Sequence, residues 1–182
     1  PLQVEMSERL TPPFWVDAKV VGGMHQPAGS WNHPLGTDRL GRDILTRMMY
    51  GARVSLIVAL VSIIAGGLIG TTLGLVAGYF GGWWDHVIMR LVDMMLSLPL
   101  VLLALVLAII FTPGIGTTVG VVALLLWSRY ARIIRAEVLT IKEQDFIARA
   151  RVAGASDFRI IVRHIFPNVV NTLIVLATLQ VG

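Results

Sequence analysis

Few residues in this chain are able to do chemistry, and their spacing suits none of the common reactions. The four histidines stand at positions 25, 33, 86 and 164, scattered along the chain. His164 lies beside Arg163 with no second His or carboxylate at ligand spacing, so it does not form a metal motif. There are no cysteines, which excludes disulfide frameworks, zinc fingers and thiol nucleophiles. No His-Glu-x-x-His, Gly-x-Ser-x-Gly or Gly-x-x-x-x-Gly-Lys-Ser/Thr stretch occurs. The glycine-rich run from Gly78 to Gly82 is followed by Trp83, so it reads as a loop and not as a phosphate cradle. We therefore expect no catalytic residue, no metal ligand and no cofactor held by this chain.

What remains is charge in two unusual places. Arg90 and Asp93 stand at the start of an apolar run, three positions apart and so on one helix face. Ionisable groups inside a membrane segment are functional candidates, yet near the end of a span the two suit a structural pair, and we carry them forward as that. The second place is the densest charge in the chain. Arg129, Arg132, Arg135, Lys142, Arg149, Arg151, Arg159 and Arg163 stand among Glu137, Glu143, Asp145 and Asp157.

Within that cluster, residues up to Ala153 have helix-forming composition. Gly154 then breaks the run at a C-cap-like position. Ser156 is a good N-cap for a second short helix, and Pro167 follows it towards the next apolar run. Ala148, Ala150, Ala153, Gly154 and Ala155 leave one end of this loop nearly without side chains, with Arg149 and Arg151 beside it. Such a knob fits a cleft on another protein. It also fits a loop lying on lipid headgroups.

The elements that must position these residues are set by composition. The chain has 182 residues, 55% hydrophobic and only 14% charged, against roughly 25% charged in ordinary soluble domains. Its mean hydropathy is +0.76. This excludes a disordered chain and a soluble domain, and leaves an integral membrane protein. The net charge of +4 fits basic loops beside anionic lipid, so the expected partner is the bilayer and not nucleic acid.

Residues 1–53 hold scattered charges and several prolines, with no run of spanning length; residues 38–50 suit a short amphipathic lead-in helix. From Val54 to Trp84 there is no charge over 31 positions, and a span needs about 20. We expect spans at about 54–78, 86–111, 115–135 and 161–182, the last incomplete, with a loop over about 136–160. Pro99 kinks the second span. In the first, Gly66, Gly70, Gly74 and Gly78, followed by Gly82, repeat every four residues. That spacing puts them on one stripe, where another helix can approach closely.

The positive-inside rule places the 136–160 loop in the cytoplasm and residues 1–53 outside, although that segment carries six basic residues of its own. The chain opens with Pro1 and closes within an apolar run at Gly182, so we expect a piece of a longer protein.

Ala148-Arg-Ala-x-x-x-Gly154 followed by Phe166-Pro167 resembles the EAA loop of type I ABC importer permeases. That pattern is Glu-Ala-Ala, three residues, Gly, nine residues, Ile, one residue, Leu-Pro. Here Ala148 stands for Glu, Arg149 for the first Ala, His164 for Ile and Phe166 for Leu. The blocks His33 to Asp43, Tyr50 to Leu56 and Ala77 to Gly82 are similar to the dipeptide, oligopeptide and nickel branch, in particular its C-type subunit. Pro12-Pro-Phe-Trp15 resembles dipeptide members.

The resemblance implies an all-α polytopic membrane bundle of the type I ABC importer permease fold, here without its first and last helices. It implies a homologous second permease, two ATP-binding cassette subunits that hold the ATP, and an extracytoplasmic substrate-binding protein. The location it implies is a bacterial or archaeal plasma membrane. It gives Ala148, Arg149, Ala150, Ala153, Gly154, Ala155, Ser156 and Pro167 a role in coupling to the ATPases. Peptides are the expected cargo, with nickel, glutathione or another small solute as alternatives, and a passive channel as the competing class. Ser62, Thr71, Thr72, Ser97, Asn168, Asn171 and Thr172 could line a path, or could bond to carbonyls of their own helices.

Overall fold

The computed structural model describes residues 8–21, 24–26 and 28–181. The chain divides into two compact units, Pro1–Ile57 and Val58–Gly182.

In the first unit, β1 (Lys19–Val21) and β2 (Met24–Gln26) form an antiparallel hairpin with Val20 opposite His25. The other described residues before Ile44 are turns and loops, organised by acidic side chains. The Asp38 carboxylate accepts the backbone N–H groups of Leu40 at 2.8 Å and Arg42 at 3.0 Å, which closes a tight turn. Gly41, at φ +74°, completes that turn in a region that disfavours a Cβ. Asp43 then caps the first helix, accepting the Thr46 backbone N–H at 2.7 Å and its hydroxyl at 2.6 Å. The helix therefore starts at Ile44 and not within 38–43. It is one element, α1 (Ile44–Phe80), where a separate lead-in helix and a span from about 54 were expected.

The second unit holds the remaining helices: α2 (Gly82–Ser97), α3 (Leu100–Ile110), α4 (Ile115–Lys142), α5 (Asp145–Val152), α6 (Asp157–Ile160) and α7 (Phe166–Val181). Among the described residues, α1, α4 and the run Asp157–Gln180 are each long and apolar enough to cross a membrane. The second predicted span is broken. The chain bends by 92° between α2 and α3, at the Leu98–Pro99 step, where proline disfavours a helical residue before it.

α4 runs seven residues past the expected end of its span at 135. At 1.5 Å per residue its length is about 42 Å, against a hydrocarbon core of about 30 Å. The helix is continuous through Arg135 to Lys142, so the loop proper is shorter than the predicted 136–160 segment.

The helix after Ser156 does not stop at Pro167 either. A single π-helical turn, Ile161–Ile165, joins α6 to α7, and the Phe166 N–H donates to the Ile161 carbonyl five residues back. Proline cannot donate its N–H and its ring crowds the carbonyl four residues earlier; a widened turn just before it leaves room.

The glycine stripe packs α1 against α4. A Cβ at Gly66 would stand 2.9 Å from the Ala123 carbonyl oxygen, at Gly74 2.7 Å from that of Ala131, and at Gly78 2.8 Å from Val138 Cβ. At Gly70 it would overlap the Trp127 carbonyl oxygen and lie 2.5 Å from Tyr130 Cβ. Only hydrogen fits at these four positions. Gly82 is not the fifth rung. α1 ends at Phe80, Gly81 and Gly82 take φ of +64° and +53°, and a Cβ at Gly82 would meet open space.

Two apolar clusters hold this unit. One joins Leu75 and Tyr79 of α1 to Ile134, Val138 and Ile141 of α4, and to Ile147, Ile160, Ile165 and Val169. The other joins Ala77 to Ile88 and Val92 of α2 and to Trp127 and Ala131 of α4.

Candidate functional site

The loop after α4 is a folded unit with two faces. α5 begins three residues beyond the end of α4 and is held by Ile147, which is fully buried. Its end is a Schellman turn. The Ala155 N–H donates to the Ala150 carbonyl at 3.0 Å and the Gly154 N–H to the Arg151 carbonyl at 2.9 Å. Gly154 sits at φ +78°, as that turn requires. Ser156 caps α6, its hydroxyl accepting the Arg159 N–H at 3.4 Å.

The expected small-residue knob divides between the two faces. Ala150 and Ala155 pack against the cluster around Ile147 and Ile160, so they are spacers under the loop. Ala148, Arg149, Ala153, Gly154 and Ser156 are exposed, and a Cβ built at Gly154 would meet nothing. Pro167 is exposed too, but it lies in α7, thirteen positions on from Gly154, and takes no part in the turn.

Sequence reasoning missed the side chains that flank this bare turn. Val152 is 91% exposed and Phe158 76% exposed, two large apolar groups on a loop otherwise covered by charge. The signal was present: Val152 is five residues from the buried Ile147, about 140° around a helix from it.

Tyr79, at the last turn of α1, ties the loop down. It is 4% exposed, and its hydroxyl donates to the Asp157 carboxylate at 2.5 Å. The Lys142 ammonium donates to the Tyr79 carbonyl at 2.7 Å. Lys142 Nζ and Arg151 Cζ each stand 5.8 Å from the centre of its ring, within cation–π range.

The Arg90–Asp93 pair does not form. Asp93 is paired instead with Arg132 of α4, and Asp85 accepts both the Nε and Nη2 of Arg135. Spacing on one helix brings two side chains near each other, but here both carboxylates reach α4, whose arginines recur every three residues and line one side. Among the described residues Arg90 has no carboxylate within ion-pair distance; it borders a cavity of about 570 Å³ with Trp83, Asp85, His86, Asp93 and Arg135.

Of the polar residues within spans, several satisfy their own helices. Thr72 donates to the Leu68 carbonyl at 2.7 Å, Ser97 to Met94 at 2.8 Å and Asn168 to His164 at 2.6 Å. Ser62 and Thr172 reach other helices, the first to the Val119 carbonyl at 3.3 Å and the second to Glu137 at 2.8 Å.

In the first unit, the block from His33 to Asp43 folds around charge. His33 Nε2 lies 2.6 Å from a Glu8 carboxylate oxygen and its Nδ1 3.2 Å from one of Asp43. Partial burial alone would lower the His33 pKa; the two carboxylates outweigh it and raise the value above 6.5. Burial would raise that of Asp43, but the Thr46 hydroxyl and N–H, with His33, hold it below 3.8. The Arg42 and Leu40 N–H groups and the Arg42 guanidinium hold Asp38 at about 2. Phe14 of the Pro12-Pro-Phe-Trp15 block stacks on Trp31 at 4.1 Å.

Among the described residues, three apolar helices of membrane length, a fourth span broken at proline and a charged loop folded against their ends define a multi-pass helical membrane protein. The chain belongs to the binding-protein-dependent transport system inner membrane component family, whose profile matches residues 70–182.

It is 41% identical over 150 residues to the glutathione transport system permease protein GsiD of Pectobacterium atrosepticum, covering 82% of this chain and 50% of that one. A putative peptide permease protein of Brucella abortus is 42% identical over 177 residues, covering 95% and 58%. The dipeptide transport system permease protein DppC of Alkalihalophilus pseudofirmus is 41% identical over 153 residues, covering 84% and 50%. The chain thus spans about half the length of the curated relatives it matches.

Proposed function

We propose that this chain is the membrane-spanning part of a permease subunit in an ATP-driven importer, carrying peptides across the plasma membrane. The observation that carries this reading is the exposed apolar pair Val152 and Phe158 on either side of the bare Gly154 turn. Large apolar groups held in water by a rigid loop are an interface waiting for a protein partner. In this family the partner is an ATP-binding cassette subunit, with ATP bound there and not on this chain. The other partners are a homologous second permease and an extracytoplasmic substrate-binding protein. The loop then lies in the cytoplasm, as the positive-inside rule requires, and residues 1–53 lie outside.

Dipeptides or oligopeptides are the cargo the relatives' names support best. Glutathione, itself a tripeptide, is the second reading, on the strength of the GsiD relative.

The test uses the full-length subunit in its assembled transporter. Val152→Asp and Phe158→Asp place charge at the interface without touching the buried side of the loop. The ATPase subunits are expected to stop co-purifying while permease abundance stays normal. ATPases that co-purify as before would overturn the docking surface. Uptake into liposomes that proceeds without ATP would replace the importer with a channel.

A further inference from the structure

We propose that Tyr79 is the positioning residue through which movement of the loop is passed to α1. The inference deepens the coupling role proposed above and rests on it.

Polar contacts and cations from three successive elements converge on this one side chain and its carbonyl: Lys142 from the end of α4, Arg151 from α5 and Asp157 from the first turn of α6. The loop's other anchors, Ile147 and Ile160, are apolar. Apolar contacts are non-directional and tolerate sliding. A hydroxyl donating to a carboxylate is directional and loses most of its strength when misaligned.

Asp157 is also placed to report displacement of the turn. It is the first residue of α6, next to the cap Ser156 and three positions after Gly154. A displacement of the turn carries Asp157 with it through two intervening residues. The Tyr79 hydroxyl gives that displacement a directional path to the end of α1. α1 cannot respond alone, because its glycine row is in contact with the α4 backbone from Gly66 to Gly78. The α1–α4 pair therefore moves as one body. α7 receives the same displacement separately, through the continuous backbone of the π turn. Removing the Tyr79 hydroxyl takes away the directional link between α6 and the α1–α4 body, and leaves the apolar cluster and the short α4–α5 backbone link to carry the displacement. Coupling between sites is reciprocal, so the same link carries the signal from the outer face back to the ATPases.

The experiment uses the complete transporter in liposomes, with ATP hydrolysis measured with and without its binding protein. Tyr79→Phe keeps the ring, its packing and the two cations beside it. Removing a hydrogen bond to a charged group is expected to cut the stimulation of hydrolysis by binding protein about tenfold. ATPase subunits should stay bound and basal hydrolysis should stay unchanged. Asp157→Asn, which retains an acceptor oxygen, should keep most of the stimulation, and the Tyr79→Phe/Asp157→Ala double variant should be no worse than either single change.

Wild-type stimulation in Tyr79→Phe overturns the proposal. So does loss of the ATPases from that variant, since Tyr79 would then serve only the shape of the loop. If Tyr79→Phe fails to accumulate, Asp157→Ala removes the same bond from the exposed side and is read in the same way. Failure of the docking reading looks different: Val152→Asp and Phe158→Asp would keep their ATPases.

Discussion

Arg135 of α4 lays its guanidinium across the Asp85 carboxylate in the first turn of α2, with Nη2 2.5 Å from Oδ2. The two residues are 50 positions apart, and one helical turn earlier on α4 Arg132 reaches Asp93 through Nη2 alone, at a more exposed position. The two pairs fix both the register and the rotation of α2 on α4, which apolar packing alone leaves loose.

Breaking the inner pair should show this. Both side chains are partly exposed, so the cost lies below the roughly 3–5 kcal/mol of a fully buried pair, at about 1–2 kcal/mol. Asp85→Ala and Arg135→Ala should each lower the melting temperature of the detergent-purified complex. The double variant should melt no lower than the worse single one. Additive losses would mean that the two residues act separately.

The glycine row makes a sharper contrast possible between neighbours. Gly70→Ala should cost about 1–3 kcal/mol, since its methyl would overlap the α4 backbone. At Gly67 the nearest atoms are those of the Tyr130 ring, at 3.6 Å, so Gly67→Ala should be neutral. Assembled-complex yield measures both, and equal yields would dismiss the close contact as the reason for the glycine.

At Gly154 strain and contact can be separated. The turn needs φ +78° but leaves room for a side chain. Gly154→Ala should cost roughly 1 kcal/mol of stability and Gly154→Asn less, because Asn tolerates that region. Gly154→Asp adds charge at the proposed ATPase contact, and should abolish transport at a permease abundance close to that of Gly154→Asn. Normal uptake by Gly154→Asp would remove the turn from the interface.

The first unit should depend on pH through His33. Its pKa is raised above 6.5, so its contribution to stability is full below that value and is lost as pH rises through the folded-state value. Asp43 and Asp38 run the other way: their contributions are full above 3.8 and are lost as pH falls, for Asp38 through about 2. The segment is then most stable between 3.8 and 6.5. Proteolytic cleavage between Trp31 and Arg47 should speed up as pH rises above 6.5 through the raised His33 value. His33→Gln should flatten that rise, and a rise that persists in the variant would assign the effect elsewhere.

Much of this molecule could be read from local sequence. An uncharged run of 31 residues declares a membrane helix, because in lipid only a helix or a closed barrel satisfies the backbone, and barrel strands are short and alternate in polarity. Glycines every four residues declare a close-packed stripe. Gly154 and Ser156 declare a helix end and a helix start, because caps are decided within about six residues of chain.

The departures have one cause. The partners of Asp85, Asp93 and Asp157 lie 50, 39 and 78 positions away, and nothing near each carboxylate names its partner. Arg90 was the nearest basic residue to Asp93 in sequence, yet rotation of α2 about its axis turned that carboxylate to Arg132. Val152 and Phe158 were unremarkable as residue types, and became an exposed pair only when Ile147 and Ile160 chose which side of the loop to bury. The sequence by itself determined which stretches are apolar enough for membrane helices, but α1 starts ten residues before the expected span, α4 runs seven past it, and the second span is two helices. The register of α1 on α4 was decided only in three dimensions, where the glycine row meets the α4 backbone, and that of α2 on α4 where Asp85 and Asp93 reach the α4 arginines.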